Sequence, residues 1–167
     1  MAYSERKNWS DIFLPDIKMK LGLHLLETAP DVEDRERNTD LMVLTGKIGR
    51  IACRVRRRKF YELYGDEFTI RNSAGVYQTE YQKILAGWGD ILFYGFCDPT
   101  ETIVENYVII DLNVFRQSAY VTDATKQDNG FGDSSFRAFK FSAFSPELII
   151  AKSDGMEDKV KKRSLFL

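Results

Sequence analysis

The chain has 167 residues, a length that suits one domain with a sizeable core. Hydrophobic residues make up 44%, charged residues 29% and aromatics 13%; that much apolar surface offsets the entropy of folding and excludes a disordered chain. A formal net charge of -1 excludes a uniformly basic nucleic-acid binder but not a locally basic one.

The charges are unevenly placed. Residues 46–59 hold Lys47, Arg50, Arg54, Arg56, Arg57, Arg58 and Lys59 with no acid. Residues 27–40 hold Glu27, Asp31, Glu33, Asp34, Glu36 and Asp40 against Arg35 and Arg37. The near-neutral total thus hides two opposed patches. Cys53 and Cys97 are not at a metal-ligand spacing, and a single histidine, His24, leaves little room for zinc. Both cysteines fall in apolar, strand-like runs and read as buried thiols of a reducing cytosol. The first residues contain no apolar signal core, and no run approaches membrane-spanning length, so a cytoplasmic protein is expected.

Trp9, Ile12, Phe13 and Leu14 precede Pro15, which suits a first helical position, and Asp16 follows in the first turn. Ile17, Leu21 and Leu25 recur at four-residue spacing, which predicts a helix over about 15–27, with His24 in a structural role. Residues 30–39 are acidic and without periodicity, a loop. Asp40 then opens the apolar run Leu41-Met42-Val43-Leu44, a buried strand, and Thr45 to Gly49 reads as a turn. From Ile51 to Arg56 the pattern alternates. Ile51, Cys53 and Val55 face the core, while Arg54, Arg56 and Arg58 form a cationic outer face. This hairpin, residues 40–58, is the expected working surface.

A third strand is predicted over 68–71, a helix over 79–86 and a fourth strand, buried on both faces, over 91–97. A fifth strand covers 107–112 and a helix 113–120. Asp111 interrupts the fifth strand and needs a partner, for which Arg116 or Arg71 is in place. Residues 122–135 are a Gly-, Asp- and Ser-rich loop, 136–144 alternate, and ordered structure ends near Ile150 before a charged tail. Trp88, between Gly87 and Gly89, reads as a core ring, and Asp90 and Asp98 bracket the fourth strand. The expectation is a single domain, 1–167, of mixed α/β (α+β) class: an αβββαβ core over about 15–120 and a β/α extension over about 121–167. Strands one to three, joined by short links, should be antiparallel neighbours, with helices on the faces of the sheet.

This order of elements, with Asp40 opening a hairpin strand, resembles the core of the PD-(D/E)XK nuclease-like superfamily, the fold of restriction endonucleases. The resemblance covers roughly residues 15–97. It implies a Mg²⁺-dependent phosphodiesterase whose carboxylates hold the metal and whose lysine stabilises the attacking water or the developing charge. Asp40 matches the first acid, and Glu33 or Asp34 the upstream acid. The Glu-x-Lys element is replaced by Arg54-Val55-Arg56. Arg56 stands in for the lysine, while the second acid must come from elsewhere, Glu80 with Lys83 on the second helix or Asp66-Glu67. The candidate catalytic set is therefore Asp40, Arg56, Glu80 and Lys83, with Asp40, Glu33 and Glu80 as magnesium ligands if the protein is active.

The arginine row needs anions, either phosphates or internal acids. The first choice implies DNA or RNA bound by Lys47, Arg50, Arg54, Arg56 and Arg58, with Tyr61 and Tyr64 just beyond placed to stack on bases. The same row would also serve a phage or mobile-element inhibitor that grips an acidic protein partner, or an arginine-lined pocket for a small phosphorylated ligand.

Overall fold

An apolar run with no charge from Ile91 to Cys97 belongs in the middle of a sheet, because only there are both of its faces covered. That requirement organises the molecule. The computed structural model describes residues 3–22, 26–45, 47–73, 78–123, 126–128 and 135–161. In it β5 (Ile91–Cys97) lies between β3 (Lys47–Arg56) and β6 (Val104–Asp111). The full order of this six-stranded sheet is β1 (Leu26–Thr28), β2 (Leu41–Thr45), β3, β5, β6 and β9 (Ile149–Lys152). The β3–β5 pair is parallel and the other pairs are antiparallel, so the sheet is mixed, as the α+β class requires.

The β2–β3 hairpin is present, with Leu41 opposite Ile51 and Thr45 opposite Lys47. Its strands reach further than expected. Gly49, assigned to a turn, lies in the ladder opposite Val43. The third expected strand, β4 (Glu67–Ser73), does not pair with β3. It joins a second sheet of order β4-β8-β7, with β8 (Ser135–Lys140) and β7 (Lys126–Asp128). The reason is competition. The place beside β3 goes to the wholly apolar β5, and β4 packs face-on instead. Together α4 (Arg58–Tyr64), β4 and α5 (Glu80–Leu85) make the crossover that a parallel pair needs.

Two apolar clusters cover the two faces of the main sheet. On one face Ala52, Leu92, Tyr94, Phe96, Val108 and Ile110 meet Phe68, Ile70 and Phe139 of the second sheet. On the other, Ile51, Val55, Phe93, Cys97 and Ile109 meet Phe13 and Ile17, which lie at and within α2 (Leu14–Leu21). The face that carries Arg54 and Arg56 also carries buried Ala52 and is roofed by the second sheet. It is not the solvated outer face expected from the alternation.

Several local expectations change for physical reasons. The first long helix stops at Leu21, where Gly22 takes φ 97°, and the chain returns as β1 beside β2. His24 lies outside the described residues. Before that helix stands α1 (Tyr3–Asp11). The expected loop at 30–39 is a helix, α3 (Asp31–Arg37), which starts after Pro30 and ends at Asn38 in the left-handed conformation. Asp31, Glu33 and Asp34 occupy its first turn and Arg35 and Arg37 its last, so its charges follow the helix dipole rather than an apolar stripe. Asp111 ends β6, and its side chain accepts from the Asn113 and Val114 N–H groups to cap α6 (Leu112–Gln117). Arg116 instead donates to the carbonyls of Ile84 and Gly89. After α6 comes α7 (Tyr120–Asp123), so the single helix expected at 113–120 is two. Order continues past Ile150. Strand β9 pairs with β6, Met156 is fully buried, and α8 (Glu157–Lys161) follows. No helix among the described residues is long and apolar enough to cross a membrane.

Gly95 marks where the central strand tolerates no side chain, since a Cβ there would lie 2.5 Å from Val104 Cγ1 and 3.1 Å from the Phe93 ring. Gly95→Ala is expected to lower unfolding stability by about 1–3 kcal/mol in urea titration, as overpacking a tight core does. An unchanged midpoint would mean that the strand yields.

Candidate functional site

The basic stretch of 46–59 sorts itself by partner. Arg50 Nε lies 3.3 Å from Glu33, whose other oxygen is bonded to Arg37. Arg54 pairs with Glu80, and Arg57 Nε donates to Glu101 at 2.7 Å. Arg58 pairs with Glu105 and Glu62. Arg58 is not on the strand at all, since the chain turns at Arg57 and Arg58 opens α4. The row of three collapses to two strand residues, Arg54 and Arg56. Lys47 stands at the start of β3 opposite Thr45.

Arg56 differs from its neighbours. Its Nη1 donates to Thr69 Oγ1 at 3.2 Å and to the Tyr94 hydroxyl at 3.3 Å, both neutral groups in buried residues. Its guanidinium lies 4.0 Å from the centre of the Phe60 ring. The Glu67 carboxyl is near enough to feel Arg56, but it is pushed upward by burial first and by Asp66 next. Lys59 Nζ stands 5.2 Å from the same Phe60 ring, and Lys159 of α8 stands 5.1 Å from the Tyr61 ring. Among the described residues, Arg56, Lys59 and Lys159 take part in no ion pair. Tyr61, expected to stack on bases, is otherwise engaged. Arg58 and Lys159 lie over its ring, the ring meets Phe96 edge-on, and its hydroxyl donates to the Gly155 carbonyl.

The Arg54–Glu80 pair closes the free edge of β4. Arg54 Nη1 donates to the Thr69 carbonyl at 3.1 Å, and Glu80 accepts from the Arg71 N–H at 3.0 Å. These two backbone groups are what a neighbouring strand would have satisfied.

Asp40 sits at the mouth of the hairpin. Its N–H donates to the Ile51 carbonyl, its carbonyl accepts from Ala29, and its Oδ2 accepts from the Cys53 N–H at 2.7 Å. Burial pushes its carboxyl up to about 7; the Cys53 N–H opposes this, while the charges of Asp34, Glu80 and Asp11 add to it. Lys83 belongs to the same neighbourhood. Burial lowers its pKa against the pull of Asp34, Glu36 and Glu80, and its Nζ donates to the Arg35 carbonyl. Asp40, Glu80, Lys83 and Arg54 therefore come together. Arg56 stands apart from them, on Thr69 and Tyr94.

These carboxylates do not fit a magnesium site as arranged. Glu33 is held by Arg37 and Arg50, Glu80 by Arg54 and the Arg71 N–H, and Asp40 Oδ2 by the Cys53 N–H, whereas Mg²⁺ wants free oxygens in near-octahedral array. No three His, Cys, Asp or Glu side chains among the described residues stand as a metal-holding group. Three further acids are engaged within the fold. Asp66 pairs with Lys140, and Asp90 accepts from the Arg50 N–H. Asp98 accepts from the N–H groups of Thr100, Thr102 and Ile103, bonds that hold its carboxyl far below the usual range. Trp88 is half-buried beneath the guanidinium groups of Arg37 and Arg50, at 4.6 and 5.4 Å from its ring.

Glu101 escaped the sequence reading. It adopts φ 57° and joins Trp9 Nε1, at 2.6 Å, to Arg57. Its partners are 92 and 44 residues away, so no spacing announces it. No protein-family model matches the chain, and no curated protein matches it.

Removing one partner from the Arg54–Glu80 pair leaves a half-buried charge and one unpaired backbone group, the Thr69 carbonyl when Arg54 is lost. Arg54→Ala is expected to cost roughly 2 kcal/mol by urea unfolding, and an unchanged midpoint would remove the edge-sealing role. Asp40 gives a pH signature. Its native pKa of about 7 exceeds the unfolded value near 3.8, so the folded state holds a proton that the unfolded state has lost. Its contribution to stability is full below the unfolded value and is lost as pH rises through 7. Asp40→Asn keeps an acceptor for Cys53. Its stability relative to the native protein is expected to rise from pH 5 to pH 8 in paired thermal melts, and a constant difference would contradict the shift.

Proposed function

We propose that the protein binds nucleic acid, holding backbone phosphates with Arg56, Lys59 and Lys159 where β3, α4 and α8 meet. One observation carries this reading: the arginines around these three are each paired with a carboxylate, and among the described residues these three cations take part in no ion pair. A guanidinium set among neutral hydroxyls, with its aromatic support already in place, is preorganised for an oxyanion. Arg54, committed to Glu80 and Thr69, belongs to the fold rather than to the ligand.

In the nuclease-like frame this is a binding descendant. Arg54 occupies the strand where the catalytic acid belongs, and the acids around Asp40 are tied to cations and backbone donors. Two free thiols, Cys53 and Cys97, suit a reducing cytoplasm. A second reading, an acidic protein partner on the same cations, draws support from Leu63, which is 67% exposed on α4. Phosphate remains the better match to Arg56, because a half-buried guanidinium recognises a compact oxyanion more readily than a mobile side-chain carboxylate.

Fluorescence anisotropy with labelled DNA and RNA over a salt series tests the reading. Affinity is expected to fall linearly in log salt. The double variant Arg56→Ala, Lys59→Ala should weaken binding to every sequence alike and reduce the slope by about 2, roughly one per lost phosphate contact. Arg57→Ala should leave the slope unchanged. Absence of salt-dependent binding to any nucleic acid would overturn the proposal. Cleavage that requires Mg²⁺ and disappears in Asp40→Asn would establish a hydrolytic site in place of a binding one.

A further inference from the structure

We infer that the nucleic acid taken by this surface is single-stranded, with a base stacked on Tyr64. The inference rests on the nucleic-acid reading above and adds the form of the ligand. Helix α4 has no buried residue, so its whole outer side is available. Of its three aromatic rings, two are already covered. Phe60 carries Arg56 and Lys59, and Tyr61 carries Arg58, Lys159 and the edge of Phe96. Tyr64 is 47% exposed, and among the described residues it makes no ring contact, cation contact or hydrogen bond.

Tyr64 follows Phe60 by four residues and Leu63 follows Lys59 by four, so each pair shares a helix face. Cations therefore flank α4, Arg56 and Lys59 at its β3 end and Lys159 beside Gly65 at the other, next to the half-exposed Tyr64 ring and the exposed Leu63. A nucleotide has the same two parts, a phosphate and a flat apolar base. A duplex buries its base faces in the stack and offers only phosphates and groove edges, while a single strand offers both parts together. The cations and the open ring on and beside α4 match the single strand.

Competition binding on the full chain decides it, with an unlabelled single strand and the duplex of the same sequence set against a labelled single strand. The single strand should compete better. Tyr64→Ala should lower its affinity about tenfold while leaving the salt slope unchanged, and Tyr64→Phe should retain it. An oligonucleotide carrying 2-aminopurine should change fluorescence on binding to the native protein and much less with Tyr64→Ala. Equal competition by duplex, or a Tyr64→Ala variant that binds like the native protein, would overturn the inference while leaving phosphate binding intact. Failure to bind any nucleic acid would overturn the underlying reading instead.

Discussion

The ion pair of Arg54 with Glu80 answers a constraint that the central strand β5 sets. Because β5 claims the place beside β3, β4 is displaced into a second sheet, and one of its edges is left against the protein rather than against a strand. Buried backbone groups without partners are costly. Arg54 supplies the donor for the Thr69 carbonyl and Glu80 the acceptor for the Arg71 N–H, so two side chains do the work of a missing strand. Both charges are drawn partly out of water, and their mutual bond together with those to the backbone offsets that cost. The pair also fastens α5 to β3, which brings Glu80 toward Asp40; burial raises that carboxyl to about 7, and the charges of Asp34, Glu80 and Asp11 add to the effect.

The same logic divides the basic stretch into two kinds of cation. Arg50, Arg54, Arg57 and Arg58 each tie a distant element to β3 or to the start of α4: Glu33 from α3, Glu80 from α5, Glu101 from the turn after β5 and Glu105 from β6. These are tethers, and their clustering in sequence reflects the central position of β3, which must be joined to something on every side. Among the described residues Arg56 and Lys59 take part in no ion pair, although the Glu67 carboxyl is near enough to feel Arg56. They rest on Phe60, which separates them from the cations that tether the fold.

Much of this was legible from the chain. The hairpin followed from alternation, the central strand from an uninterrupted apolar run, α5 from its pattern, and Asp40 from its place before a strand. The two-sidedness of β3 was not, because alternating arginines look the same whether they face water or a layer of counter-charges. A polar helix such as α3 carries no apolar period, so it reads as a loop although its charges follow the helix dipole. The departure of β4 was hidden because pairing is a contest between strands, and the winner depends on the burial of β5 as much as on β4 itself. The ion pairs span 26, 44 and 47 residues, beyond anything local spacing reports.

The nuclease-like pattern and the observed pairing place opposite demands on one strand. Metal-dependent cleavage needs carboxylates with free oxygens and a cation poised beside them. Here the strand brings cations to the acids and consumes both, at Arg54–Glu80 and at Arg50–Glu33. Residues so occupied build the interior. Among the described residues, Arg56, Lys59 and Lys159 take part in no ion pair, and they lie at the end of β3 and along α4 and α8, beside the half-exposed Tyr64 ring. The arginine-rich hairpin is thus mostly scaffold, and the proposed binding surface narrows to Arg56 and the helix that follows it.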